Sequence, residues 1–162
     1  MQGFTDANAE ITEEVSAIDE ELFAGLDRVL RDRGTTGAVY LADMLGPIAE
    51  YSQLLVELGT LTSLRPSEEL EAWDSLLART GDVRDELAAL VPTPRLEELH
   101  ERQVALMADT EAVFEEFLDL LVAREEPGAS LILALGAIQR DGLLLREERG
   151  AAVTEELRGE AD

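Results

Sequence analysis

A chain of 162 residues with 46% hydrophobic and 30% charged side chains carries the apolar content for one buried core and is too apolar for a disordered segment. The absence of cysteine excludes disulfides, thiolate metal sites and a cysteine nucleophile, and the absence of lysine excludes a Gly-x-x-x-x-Gly-Lys phosphate loop. A net charge of −23, from 36 acids against 13 arginines scattered along the chain, makes nucleic acid and anionic membrane surfaces poor partners, because both are held by clustered cations.

Aromatic residues are only 4% of the chain, so the core must be built from Leu, Val, Ile and Ala, a composition suited to helix-on-helix packing. From Ile11, the positions Val15, Ile18, Leu22, Leu26 and Val29 recur at spacings of three and four, which predicts a first helix over about 5–33. Thr5 or Asp6 would cap its start and Gly34 its end. Tyr40, Leu41, Met44, Leu45, Ile48, Tyr51, Leu55, Leu58 and Leu61 predict a second helix over about 36–62. Pro47 inside it is expected to kink the helix without breaking it.

Ser67, after Pro66 and before Glu68 and Glu69, is the expected cap of a third helix over about 67–90, carried by Leu70, Trp73, Leu77, Val83 and Leu87 and weakened near Thr80-Gly81. Val91-Pro92-Thr93-Pro94 is the clearest punctuation, with Thr93 as the expected cap and Pro94 in the first turn of a fourth helix over about 94–124. After Pro127-Gly128, Ser130 is the expected cap of a fifth helix over about 129–158, with polar last turns prone to fraying. Connections of two to six residues favour antiparallel neighbours. The expected fold is an all-α antiparallel bundle of four to five long helices, forming a single domain over 1–162 without repeat or linker.

The best apolar stretch, Ala38 to Leu61, is interrupted by Asp43 and Glu50, so no transmembrane segment is expected. Met1-Gln2-Gly3-Phe4 lacks the basic-then-apolar pattern of a signal peptide.

Glu97 and His100 form Glu-x-x-His, the spacing that sets a carboxylate and an imidazole on one metal in ferritin-like bundles, and they are the candidate metal ligands. His100 is the only histidine, so the second pair of such a site is missing, and a surface or packing histidine is the plainer reading. Paired acids such as Glu13-Glu14, Glu20-Glu21, Glu68-Glu69, Glu115-Glu116 and Glu125-Glu126 read as solvated faces, since neighbours on a helix point about 100° apart. No Gly-x-Ser-x-Gly elbow accompanies any serine, no catalytic residue is assigned and no cofactor is expected. Trp73, Tyr40, Tyr51, Phe4, Phe23, Phe114 and Phe117 are expected mostly in the core, and Gly136 and Gly142 would either admit a neighbouring helix or merely cost stability.

The run Pro92-Thr93-Pro94-Arg95-Leu96-Glu97-Glu98-Leu99-His100, between a tryptophan-bearing helix and a long helix, resembles uncharacterised bacterial extracytoplasmic helical lipoproteins over about residues 67–121. That resemblance implies a helical bundle near a cell surface and supplies no activity; the lipobox cysteine and signal of such proteins are absent here.

Core and surface patterns without an assembled reactive constellation point to a soluble, non-enzymatic binding or scaffolding module, extracytoplasmic if the resemblance holds, that takes a protein partner or associates with itself. The alternatives are a carboxylate-rich metal-binding bundle and an enzyme with an interhelical pocket.

Overall fold

The computed structural model describes residues 20–59, 61 and 66–159, and every regular element among them is helical. Helix α1 covers 20–33, α2 Thr36–Leu58, α3 Pro66–Ala88, α4 Glu97–Ala123 and α5 Ala129–Arg158, with a 3₁₀ turn at Pro94–Leu96 leading into α4. This is the all-α bundle that the leucine spacing predicts. The expected cap at Thr5 or Asp6 lies outside the described residues.

Local chemistry sets the element ends. Gly34, at φ +71°, closes α1 in a left-handed conformation that costs glycine nothing. Thr35 then caps α2, its hydroxyl oxygen accepting the Ala38 N–H at 3.2 Å. Helix α2 runs through Pro47 without interruption and ends four residues before the predicted boundary, where the Gly59 N–H turns back to the Val56 carbonyl.

Two expected caps are corrected, and Thr93 keeps the cap position without a side-chain bond. Helix α3 starts at Pro66, whose fixed φ and missing N–H suit a first turn, so Ser67 lies inside the helix. Thr93 has extended backbone but makes no side-chain cap bond; the turn after it closes through the Leu96 N–H to the Thr93 carbonyl at 2.9 Å. Helix α5 starts at Ala129 behind Gly128, which leaves Ser130 within the first turn. Thr80-Gly81 does not interrupt α3, and the buried Thr80 hydroxyl is satisfied within its own helix, donating to Leu76 O, 2.7 Å away.

Helix α3 packs on α4, α4 on α5, and α2 on both α3 and α5, which closes a ring of four. Adjacent helices run antiparallel: Trp73, early in α3, meets Phe114 and Phe117, late in α4, while Arg102, early in α4, meets Glu148, late in α5. Across the ring α2 touches α4 at two levels, Tyr40 to His100 and Tyr51 to Thr110. Helix α1 lies outside the ring, anchored by the fully buried Leu30 and by the Arg31–Asp43 ion pair at 2.9 Å.

The core centres on Phe114, Leu41, Met44, Leu54, Leu76, Leu87, Met107, Leu131 and Leu145. Trp73 stacks on Phe117 at 5.2 Å and meets the edge of Phe114 at 5.5 Å, both geometries that aromatic quadrupoles favour. Among the described residues, no helix is long and apolar enough to cross a membrane.

Candidate functional site

The inward faces of α4 and α5 repeat at spacings of four and three: Leu99, Gln103, Leu106, Thr110 and Val113 on one, and Ile138, Gly142, Leu145, Arg149, Ala152 and Glu156 on the other. Polar residues therefore occupy core positions. Burial leaves each needing a partner, since an unpaired buried donor or acceptor costs about 1–3 kcal/mol.

Most of them find one. The Thr110 hydroxyl donates to Leu106 O at 2.7 Å and accepts from the Tyr51 hydroxyl at 3.2 Å. Glu156, 5% exposed, accepts from the Thr35 hydroxyl at 2.8 Å and from the Arg95 guanidinium. Its carboxylate lies against Gly37 in the first turn of α2, where the helix dipole favours an anion and where a side chain on residue 37 would collide with it.

Gln103, 1% exposed, is different. Its carbonyl oxygen accepts from Nη1 of Arg149, and its amide nitrogen has no hydrogen-bond partner. Half-buried Arg149 has no carboxylate within ion-pair distance among the described residues, and neither does Arg146 one turn earlier. Burial first, and then the charge of Arg146, pull the Arg149 pKa down from 12.5 to about 10, while Tyr51 raises it. Arg149 remains a cation at neutral pH. By contrast Arg31, Arg79, Arg84, Arg95 and Arg102 all reach carboxylates.

Arg149 and Arg146 line a cavity of about 420 Å³ between α1, α2 and α5. Leu22, Phe23 and Leu26 of α1 form one wall; Leu41, Met44, Leu45 and Ile48 of α2 form another; Val153 and Gly150 of α5 complete it. Ser52 is the remaining polar group, and its hydroxyl donates to Ile48 O at 3.0 Å. Among the described residues, no carboxylate lines this cavity. The neighbouring cleft between α1 and α2 differs in carrying both signs of charge, with Asp27 and Asp32 beside Arg28 and Arg31.

The residues singled out from the sequence lie elsewhere. Glu97 is exposed in the first turn of α4, and His100 turns to Tyr40, whose hydroxyl lies 3.0 Å from Nδ1. Burial raises the Tyr40 pKa from 10.0 to about 12, so the phenol keeps its proton, and the imidazole tautomer sets which of the two groups donates. Among the described residues, no three His, Asp or Glu side chains assemble in a way that could hold a metal. Glu20, Glu21, Glu68, Glu115, Glu116, Glu125 and Glu126 are exposed and Glu69 is half-buried, while Glu13 and Glu14 lie outside the described residues. Trp73, Tyr40, Tyr51 and Phe114 are buried, Phe23 and Phe117 half-buried, and Phe4 lies outside the described residues. Gly136 faces open space and Gly142 makes only ordinary contact with Leu106, so neither admits a helix closely; Gly37 is the glycine a close approach requires.

Sequence reasoning passed over Gln103 and Arg149. The signal was present: each interrupts an apolar repeat at a core position, and Arg146 and Arg149 share a face at i, i+3. Comparison with known proteins finds no family model, no curated protein and no solved structure that matches this chain.

Proposed function

We propose that this chain is a non-enzymatic binding module whose α1–α2–α5 cavity holds one small molecule with an apolar body. The observation that carries the reading is the cavity itself: about 420 Å³, within the usual range for ligand sites, walled by leucine, isoleucine, methionine, phenylalanine and valine with a few convergent polar groups. Among the described residues, its lining has no carboxylate, histidine or cysteine to serve as base or nucleophile.

Titration with a neutral naphthylamine fluorophore tests this. One equivalent should bind with enhanced, blue-shifted emission, and Val153→Trp, which fills the cavity from its side, should abolish binding in a folded protein. No saturable binding, or binding unchanged by Val153→Trp, would refute the proposal. The resemblance over residues 67–121 extends the reading to a location outside the cytoplasm, which fractionation of the native host would check by finding the protein outside the spheroplasts.

A second reading, a protein-binding or self-associating scaffold, is favoured by exposed Ile132, Leu133, Leu143 and Leu144, which recur along α5. Sedimentation of the native protein and of Leu133→Glu/Leu143→Glu would reveal a dimer lost on substitution; a monomer in both would remove this reading.

A further inference from the structure

We infer that the occupant of the α1–α2–α5 cavity is a single-chain anionic amphiphile, its head group held by Arg149 and Arg146 and its hydrocarbon chain lying along α2 towards Ile48, Leu22 and Phe23. This rests on the cavity being a binding site, as proposed above, and adds what the site selects.

The cavity is polarised along its length. Helices α2 and α5 run antiparallel with Gly37 against Glu156, so Met44 and Leu45 lie level with Arg149 and Ile48 level with Arg146, while Ser52 lies beyond them; the Arg31–Asp43 pair sets Leu22 and Phe23 of α1 level with Ser52. The two cations thus lie at the Met44 end, and the described side chains towards the other end, Ile48, Leu22 and Phe23, are hydrocarbon, with the Ser52 hydroxyl already donated to Ile48 O. From Leu41 to Ser52 the helix rises about 16 Å. Dividing the cavity's 420 Å³ by the roughly 30 Å³ that a water-sized group fills in a liquid gives room for about fourteen heavy atoms, the size of dodecanoate.

The charge argument is independent of the size argument. Acids outnumber arginines 36 to 13 in this chain, yet its half-buried Arg149 is left without one among the described residues. Arg149 spends one donor on Gln103, which takes up that amide's oxygen and leaves its NH₂ group unpartnered. Every polar group that this pair still offers is a donor, which suits an acceptor-only, negatively charged head group. A neutral or cationic amphiphile would leave the guanidinium uncompensated or oppose it.

Displacement of the neutral fluorophore by four probes of equal chain length, each below its micelle threshold, is the test: dodecanoate, dodecyl phosphate, dodecanol and dodecyltrimethylammonium. At least one anion should displace it tenfold or more better than dodecanol and dodecyltrimethylammonium, with the two anions compared to tell carboxylate from phosphate. Arg149→Met should bring the preferred anion down to the level of dodecanol, Arg149→Lys should keep most of the preference, and the exposed Arg146→Gln, which does not threaten folding, should reduce it severalfold. If the fluorophore binds but dodecanol matches both anions, or if the anion keeps its advantage in Arg149→Met and Arg146→Gln, this inference falls while the cavity proposal stands. If the fluorophore itself does not bind, the cavity proposal falls first.

Discussion

The Arg149 guanidinium donates to the side-chain carbonyl of Gln103, so the one acceptor of that buried amide is taken and its nitrogen is left without a partner. A charge and an orphaned donor in a helix interface are expensive, and replacing such groups together by apolar residues of similar volume commonly stabilises. Gln103→Met/Arg149→Met should therefore be more stable than the native chain, by about 1–2 kcal/mol, while losing its preference for anions. Urea unfolding followed by the fluorescence of the single tryptophan, Trp73, measures the first effect. Arg149→Met alone should gain less, because it strands the Gln103 oxygen as well.

A net charge of −23 repels any anion approaching the cavity mouth, whereas Arg146 and Arg149 act at short range. Salt screens the long-range part first, over a Debye length of about 10 Å at 0.1 M. The association rate of dodecanoate should rise as salt is added from low concentration, opposite to the usual behaviour of an anion meeting an arginine site. Stopped-flow mixing across a salt series would show this.

Gly37 and Glu156 tie the start of α2 to the end of α5. Gly37→Ala drives a methyl group into the Glu156 carboxylate and should cost about 1–3 kcal/mol. Glu156→Ala removes the acceptor of Thr35 and Arg95 and should cost about 3 kcal/mol. Because the first penalty arises from the second side chain, the double variant should be less destabilised than the sum, and a double-mutant cycle in urea checks it.

Burial raises the pKa of both Tyr40 and Tyr51 above 10.0, that of Tyr40 to about 12. Between those values the unfolded chain has released protons that the folded chain retains, so stability falls as pH rises through this window. Arg149, lowered to about 10, acts in the opposite sense, so the Tyr40 contribution is read by difference. Tyr40→Phe should flatten the alkaline decline, as unfolding midpoints measured at successive pH values would reveal.

Helices α2 to α5 were legible in the sequence because Leu41, Met44, Ile48 and their equivalents recur once per turn on the buried face, whereas on α1, described only from residue 20, the same spacing includes Leu22 and Val29, which are exposed. The caps were less so. Thr93 holds the cap position of the 3₁₀ turn but makes no side-chain bond there, and Ser130 lies two residues past Gly128, which takes the cap position of α5. The cavity was illegible for another reason: Arg146 and Arg149 look like any arginines on a solvated face until α1 is laid over α2 and α5. Only the polar interruptions at Gln103 and Arg149 hinted that two core positions are not packing positions.

Crystals soaked with dodecanoate carrying a terminal bromine would locate the ligand directly. The account predicts an anomalous bromine peak near Leu22, Phe23 and Ile48, with the carboxylate on Arg149. A peak on the outer face of α5, beside Leu133 and Leu143, or no ordered bromine at a saturating concentration, would contradict it.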